Sequence, residues 1–393
     1  KGELGYNGIV FATIISNSPP NAQSGMDAMD SHAYWQHPQF PVGQDWSPDN
    51  WTVNNVSMVK DPGNSTVAGI ARQRVRGKPH NVTEYQHPSP NTYSAEMPLF
   101  VAAYGALQDW DGIWFFEYPT GMDEYVTGFF DTSGHPGKLA NSLVAASLFR
   151  RGDVAPAVEQ HVIRFDPETE LNAVVNRGYA WRIADGSSIG VPAALGLVSG
   201  VALSIGEEAK GLEEMPEAPR GPVYVSDTGQ VKWSLEEADR GVLTIDTPAT
   251  KAVVGFSDGR TFDLGGVVIE PGQTRQGWST IAITARQGGG LTGSREAWGV
   301  IVATGDHENT GQIWKNAERN SVGRNWGRAP ALIEVVPATI TIPVAPRRVA
   351  VWALDVNGNR IADVAVADFK GMARFRIGES GATLWYEIYI APE

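Results

Sequence analysis

Over the amino-terminal part of the chain, short unbroken apolar runs alternate with stretches whose apolar positions recur at helical spacing. Gly8-Ile-Val-Phe-Ala-Thr-Ile-Ile-Ser16 is continuous and β-branched, and Asn17-Ser-Pro-Pro20 ends it. Such a run marks a strand buried on both faces, as in a parallel sheet. A second strand, near 28–34, unloads His32, Tyr34, Trp35 and His37 into a loop rich in Pro, Gly and Trp that runs to about Trp51. His32 and Tyr34, two apart, share a face. Asn54 to about Arg76 reads as a helical connection loosened by Asp61-Pro-Gly-Asn64. A third strand is predicted near 81–85, then a helix from Tyr93 to Asp109 with Leu99, Ala102, Ala103, Ala106 and Leu107 in one stripe. The fourth, near 112–118, is broken by Pro119 and Gly121, and helical pattern resumes from about Lys138 to Phe149. Strands alternating with such connections fit a parallel barrel, of which four strands are present.

From about Val154 the texture changes to short apolar runs punctuated by Gly, Pro, Asp and Asn, the signature of antiparallel sandwiches. Val223-Tyr-Val, Gly241-Val-Leu-Thr-Ile-Asp, Thr280-Ile-Ala-Ile-Thr-Ala and Arg348-Val-Ala-Val-Trp-Ala-Leu recur at sandwich spacing, and the chain closes on the aromatic run Thr383-Leu-Trp-Tyr-Glu-Ile-Tyr-Ile390. Gly206 to Gly221, rich in Glu and Pro, reads as an exposed linker. Asp355-Val-Asn-Gly-Asn-Arg360 resembles the start of a calcium loop but lacks the Gly and distal Glu such loops require, so it is predicted to be a hairpin turn. The expected organisation is an α/β unit over 1–152, a β-rich connection and linker over 153–222, and β-sandwich over 223–393.

Composition narrows the partners. At 393 residues the chain exceeds one ordinary core. Forty-four acidic against 31 basic residues, a net charge of −13, argue against nucleic acid and anionic membrane as partners. No run of eighteen apolar residues occurs and Lys1-Gly-Glu-Leu-Gly5 lacks a signal-peptide shape. Cysteine is absent, which removes disulfides, thiolate metal sites and a Cys nucleophile. The 13 Trp, 11 Tyr and 13 Phe are a generous aromatic allotment, and flat aromatic faces stack on sugar rings as readily as they fill cores.

The chemistry centres on Lys78-Pro-His-Asn-Val-Thr-Glu-Tyr-Gln-His-Pro-Ser-Pro-Asn91. Val82 and Thr83 favour a strand and Pro88 and Pro90 cannot continue one, so Glu84 is predicted where strand gives way to loop. Parallel barrels place their chemistry at that rim. His32-Ala-Tyr34, Thr83-Glu-Tyr85 and the final Trp110-Asp-Gly-Ile-Trp-Phe-Phe-Glu-Tyr118, in that order, resemble the second half of a clan A retaining glycoside hydrolase of the family 5 cellulase and mannanase type. The resemblance covers roughly residues 6 to 150. It implies an α/β fold, the second half of a TIM (β/α)8 barrel, followed by all-β sandwich units of the kind often appended to such enzymes. It also implies a secreted or periplasmic enzyme that cleaves a β-linked oligo- or polysaccharide by double displacement.

In that reading Glu84 is the nucleophile, Tyr34 holds it by a hydrogen bond, His32 lines the cleft, and Tyr118, Trp114, Trp35 and His37 bind substrate. The family's platform is a Trp, and the matching place here is Tyr118, with Trp114 deeper on the same face. Its acid/base, an Asn-Glu pair, has no counterpart. Glu117 and Glu96 are the only nearby carboxylates, and neither is expected to substitute, since Glu117 alternates away from Tyr118 and Glu96 lies in a helical segment. The missing strands and the acid/base Glu are therefore expected on a second polypeptide, most simply from a precursor nicked before Lys1. No cofactor or metal is expected, since His80 and His87 lie at opposite ends of one strand and cannot converge with His32 and His37. A non-catalytic carbohydrate-binding protein or a structural subunit built on the same scaffold is the alternative.

Overall fold

Four β-branched runs set the amino-terminal architecture. In the computed structural model, which describes residues 2–14, 18–119, 124–177, 186–206, 209, 211–237, 239–288, 290–379, 381 and 383–393, these runs form β1 (Phe11–Ile14), β2 (Ala28–Tyr34), β3 (His80–Gln86) and β4 (Gly112–Phe115). Ile15 and Ser16 of the first predicted strand, Gly121 after the fourth, and parts of the predicted linker lie outside the described residues. The strands pair in that order as one parallel sheet. Helices α1 (Pro20–Gln23), α2 (Thr66–Ala71) and α3 (Met97–Leu107) connect them, and α4 (Pro136–Phe149) follows β4. All the strands end at one rim.

Two of these helices differ from their pattern for identifiable reasons. Helix α2 has only 6 residues, because the Asp61 carboxylate takes the Asn64 N–H at 3.2 Å and closes a turn first. The helix starts at Ser65, whose hydroxyl accepts the Ala68 N–H at 3.3 Å. Helix α3 shows one apolar stripe in sequence yet is buried at every position. Met97 and Val101 pack with Val82 and Tyr85 of β3, while Leu99, Phe100 and Ala103 pack with Trp233, Leu243 and Val254 from the β-rich part of the chain.

The segment after Val154 is not antiparallel. Strands β5 (Gln160–Phe165) and β6 (Gly200–Ile205) pair parallel, with α5 (Pro167–Arg177) and α6 (Leu195–Val198) between them. Short apolar runs report strands but not their direction, and the Glu168 and Glu170 carboxylates in the first turn of α5 are what a helix start favours.

Antiparallel structure begins with β7 (Val223–Val225), β8 (Val231–Ser234), β9 (Val242–Asp246), β10 (Thr250–Gly255), β11 (Phe262–Leu264) and β12 (Val267–Pro271). It continues through β13 (Ser279–Gly288), β14 (Ala297–Thr304), β15 (His307–Thr310), β16 (Arg328–Ile333) and β17 (Ala338–Ile342). The last strands are β18 (Val349–Leu354), β19 (Arg360–Val364), β20 (Val366–Phe369), β21 (Met372–Ile377) and β22 (Trp385–Ile390). A nine-stranded sheet runs β19-β18-β22-β14-β13-β10-β9-β8-β7 and a five-stranded sheet runs β11-β12-β17-β21-β20. Val253, Ile283 and Ile301 of the larger sheet meet Ile269, Ile340 and Phe375 of the smaller in one core.

The other face of the nine-stranded sheet carries α3 and α4, so β10 is buried at every residue. Asn141 of α4 is a polar peg in that layer, its amide donating to Ala95 O at 2.8 Å and Thr280 Oγ1 at 3.0 Å. The Asp355 stretch forms the turn between β18 and β19, its carboxylate accepting the Asn357 and Asn359 N–H groups at 2.8 Å. Among the described residues no helix is long and apolar enough to cross a membrane.

Candidate active site

A bulge delivers Glu84. Strands β2 and β3 pair Ser31 with Val82 but His32 with Glu84, so Thr83 is an extra residue in the ladder. The Asp30 carboxylate takes the Thr83 N–H at 3.1 Å and its hydroxyl at 2.7 Å. Glu84 thereby reaches the carboxyl end of β2, where the Tyr34 hydroxyl donates to Oε2 in a short hydrogen bond. His32 Nδ1 lies 3.1 Å from the same oxygen. Both contacts fall on Oε2, which leaves Oε1 as the oxygen for a ligand. The Glu84 side chain is 32% exposed and that of His32 is 19% exposed.

The second imidazole nitrogen of His32 faces Asp30 Oδ2 at 3.3 Å and Thr83 Oγ1 at 2.9 Å. Asp30, His32 and Glu84 thus form a carboxylate–imidazole–carboxylate chain that holds the Glu84 side chain in place. Burial, then the hydrogen bond to Glu84, then the negative charges of Glu84 and Glu117 push the Tyr34 phenol far up. It therefore stays protonated and keeps donating.

Aromatic rings surround this pair. Tyr34 lies 5.3 Å from His37, 5.2 Å from Phe130 and 6.1 Å from Phe116, centroid to centroid. His37 in turn contacts Trp46 at 5.9 Å. Trp46 is 59% exposed and Tyr118 60% exposed, both beyond the strand ends. Trp114 is exposed on the cleft face, but its indole lies back over Gly112 beside Asn81, toward the amino ends of the strands. A Cβ at residue 112 would stand 2.4 Å from that ring, so the glycine makes room for it.

Trp35, expected in the cleft, is not there. It is buried, its N–H bonds Val56 O at 2.8 Å, and it packs in the core with α3. The alternation that points Tyr34 into the cleft points Trp35 behind the sheet. Glu96 is likewise outside the cleft. It is fully buried against the Ser57 hydroxyl and the Met58 N–H, both at 2.6 Å, and burial pushes its carboxyl up to about 8. Glu117 is exposed, and its charge is felt at Tyr34.

The β-rich part of the chain braces the site. Trp326 stacks on Trp51 at 5.6 Å, Asn320 O accepts the Val53 N–H at 2.8 Å, and Arg324 pairs with Asp49 at 2.7 Å. These contacts pin the loop that carries His37 and Trp46. On the other side Asn309 of β15 grips Val126, taking its N–H at 3.0 Å and donating to its carbonyl at 2.7 Å. That fixes the loop bearing Phe129 and Phe130.

The structure brings together Glu84, Tyr34, His32 and His37, and adds Asp30, Trp46, Phe116 and Phe130, which sequence reasoning did not single out. Asp30 carries a signal in sequence, since it stands two residues before His32 on the same face. Comparison with protein-family models, with curated proteins and with solved structures gives no match. The functional reading therefore rests on the residues and their geometry.

Proposed function

We propose that this protein is a retaining glycoside hydrolase in which Glu84 is the nucleophile. The observation that carries the reading is the seating of Glu84 on the rim, where two groups hold Oε2 and exposed Trp46, joined to Tyr34 through His37, offers a surface for a sugar ring. In the first step Oε1 attacks the anomeric carbon while a second carboxylic acid protonates the departing glycosidic oxygen. Tyr34 continues to donate to Oε2 as it becomes the carbonyl of the glycosyl ester. Water, deprotonated by the same second carboxylate, then hydrolyses the ester with overall retention.

Screening hydrolysis of β-glucan, mannan, xylan and galactan identifies the substrate, and the Glu84→Gln variant tests the role. Turnover should vanish with the fold intact. Activity within a few fold of wild type rules Glu84 out as nucleophile.

The four parallel strands are read as the second half of a (β/α)8 barrel. Among the described residues β1 and β4 each pair on one side only, and such edges recruit further strands. The proposed complement is a second polypeptide carrying the first half of the barrel and the acid/base Glu, assembled with this chain outside the cell or in the periplasm. Native mass spectrometry of protein purified from its source should show a heteromer. An active monomer of this chain alone refutes that arrangement.

A further inference from the structure

Helix α4 packs on β10, β13 and β14, and β22, β18 and β19 continue the nine-stranded sheet past it. A sheet face with water beyond it ordinarily turns polar side chains outward. This one does not. The outward positions of β22 are Trp385, Glu387 and Tyr389, while Tyr386, Ile388 and Ile390 enter the sandwich core. Across the ladder Tyr389 faces Trp298 of β14, and Glu387 faces Trp352 of β18. The Trp298 and Tyr389 rings lie 4.3 Å apart. Arg360 lies over the Trp352 ring at 3.6 Å and is fixed there by Glu387 at 2.6 Å.

A groove of about 600 Å³ is cut between this face, the Leu143 side of α4 and the turn 355–359. That lies within the range of about 300–1,000 Å³ that small-molecule sites occupy. Its lining combines the indoles of Trp298 and Trp385 with the polar groups of Glu387, Arg286, Gln287 and Asn357. A second groove of about 640 Å³ adjoins it, sharing Leu354, Val356 and Trp385. An elongated ligand fits two joined grooves better than a compact one.

We infer that this face is a second glycan-binding site, separate from the Glu84 cleft, that takes a linear oligo- or polysaccharide. Indole faces match the C–H faces of pyranose rings, and planar carboxylate, amide and guanidinium groups at their edges match vicinal hydroxyls. A purely apolar ligand would make no use of the Gln287 and Asn357 amides on the rim. A polyanion is disfavoured by the net charge of −13. The inference does not depend on Glu84 being a nucleophile.

The test uses the full chain carrying Glu84→Gln, titrated calorimetrically with the β-1,4-linked hexasaccharides of glucose, mannose, xylose and galactose. At least one should bind, and Trp385→Ala or Trp298→Ala should weaken it about tenfold or more. Because loss of an indole can disturb the sheet, the surface variants Gln287→Ala and Asn357→Ala serve as the second arm, each expected to weaken binding a few fold with unchanged near-ultraviolet circular dichroism. The inference is overturned if no hexasaccharide saturates the protein at millimolar concentration. It is overturned equally if binding survives all four substitutions, or is lost only on Trp46→Ala in the cleft. Hydrolysis by the unsubstituted protein is read separately, so the two sites succeed or fail independently.

Discussion

Tyr34 shows how much one hydroxyl has to do. It is the donor that fixes which Glu84 oxygen is held and which is free, and its own ring is set by Phe116, Phe130 and His37. A phenylalanine fits the same aromatic nest but cannot donate. Tyr34→Phe should therefore lower kcat about ten- to a hundredfold, the worth of a hydrogen bond to a charged group, and leave KM nearly unchanged. An equal rise in KM would mean that Tyr34 binds sugar and does not position Glu84. Much at this scale was legible in the chain: His32 and Tyr34 share a face because they are two apart, and the proline-broken end of the third strand marks Glu84. The same alternation accounts for the burial of Trp35. It could not reveal that Thr83 is bulged and tied to Asp30, because a register shift is a property of two paired strands and appears in neither alone.

Among the elements, α3 is the most constrained. Its first turn abuts Glu96, which bonds Ser57 and Met58 across a long stretch of sequence, and His87 Nδ1 lies 3.5 Å from the same carboxyl. Burial and the Lys138 charge hold that imidazole well below its ordinary value, so it offers Glu96 no cation. Burial pushes Glu96 from 4.5 up to about 8, so the folded chain keeps a proton that the unfolded chain releases. The stability this confers is complete below 4.5 and is lost as pH rises through about 8. In Glu96→Gln the amide oxygen can accept the Met58 N–H and the amide NH2 can donate to the Ser57 hydroxyl oxygen, and neither titrates. The variant's melting temperature should gain steadily on wild type across that window, by the equivalent of on the order of a few kcal/mol. Parallel melting curves would mean that Glu96 is ionised in the fold. From sequence α3 was visible as a helix, but its second buried side was not, since small residues such as Ala102 and Ala103 read as weakly apolar until a sheet is laid on them.

At the scale of the whole molecule, the sandwich and the parallel sheet share α3 and α4 as a middle layer. One core contains Leu99, Phe100 and Val144 from the helices with Leu243, Val254 and Val302 from the nine-stranded sheet. Each such side chain contributes about 1.5–3 kcal/mol by burial, so neither part is expected to be stable without the other. Calorimetry should show one unfolding transition, and residues 1–222 expressed alone should fail to fold. Two well-separated transitions would show independent domains. The division of the chain into an α/β part and a β part could be read from its changing texture, whereas the contact between them could not, because a strand buried on both faces looks the same whether helices or another sheet cover it. The doubly covered β10 also bears on how such a protein can be rearranged. A sandwich whose outer wall is finished by its neighbour's helices is no portable cassette: transplanted to another scaffold, residues 223–393 would carry raw apolar surface where α3 and α4 had been. A graft that stays soluble has to bring that helix pair with it, so recombination would pass the two parts on as a single inheritance.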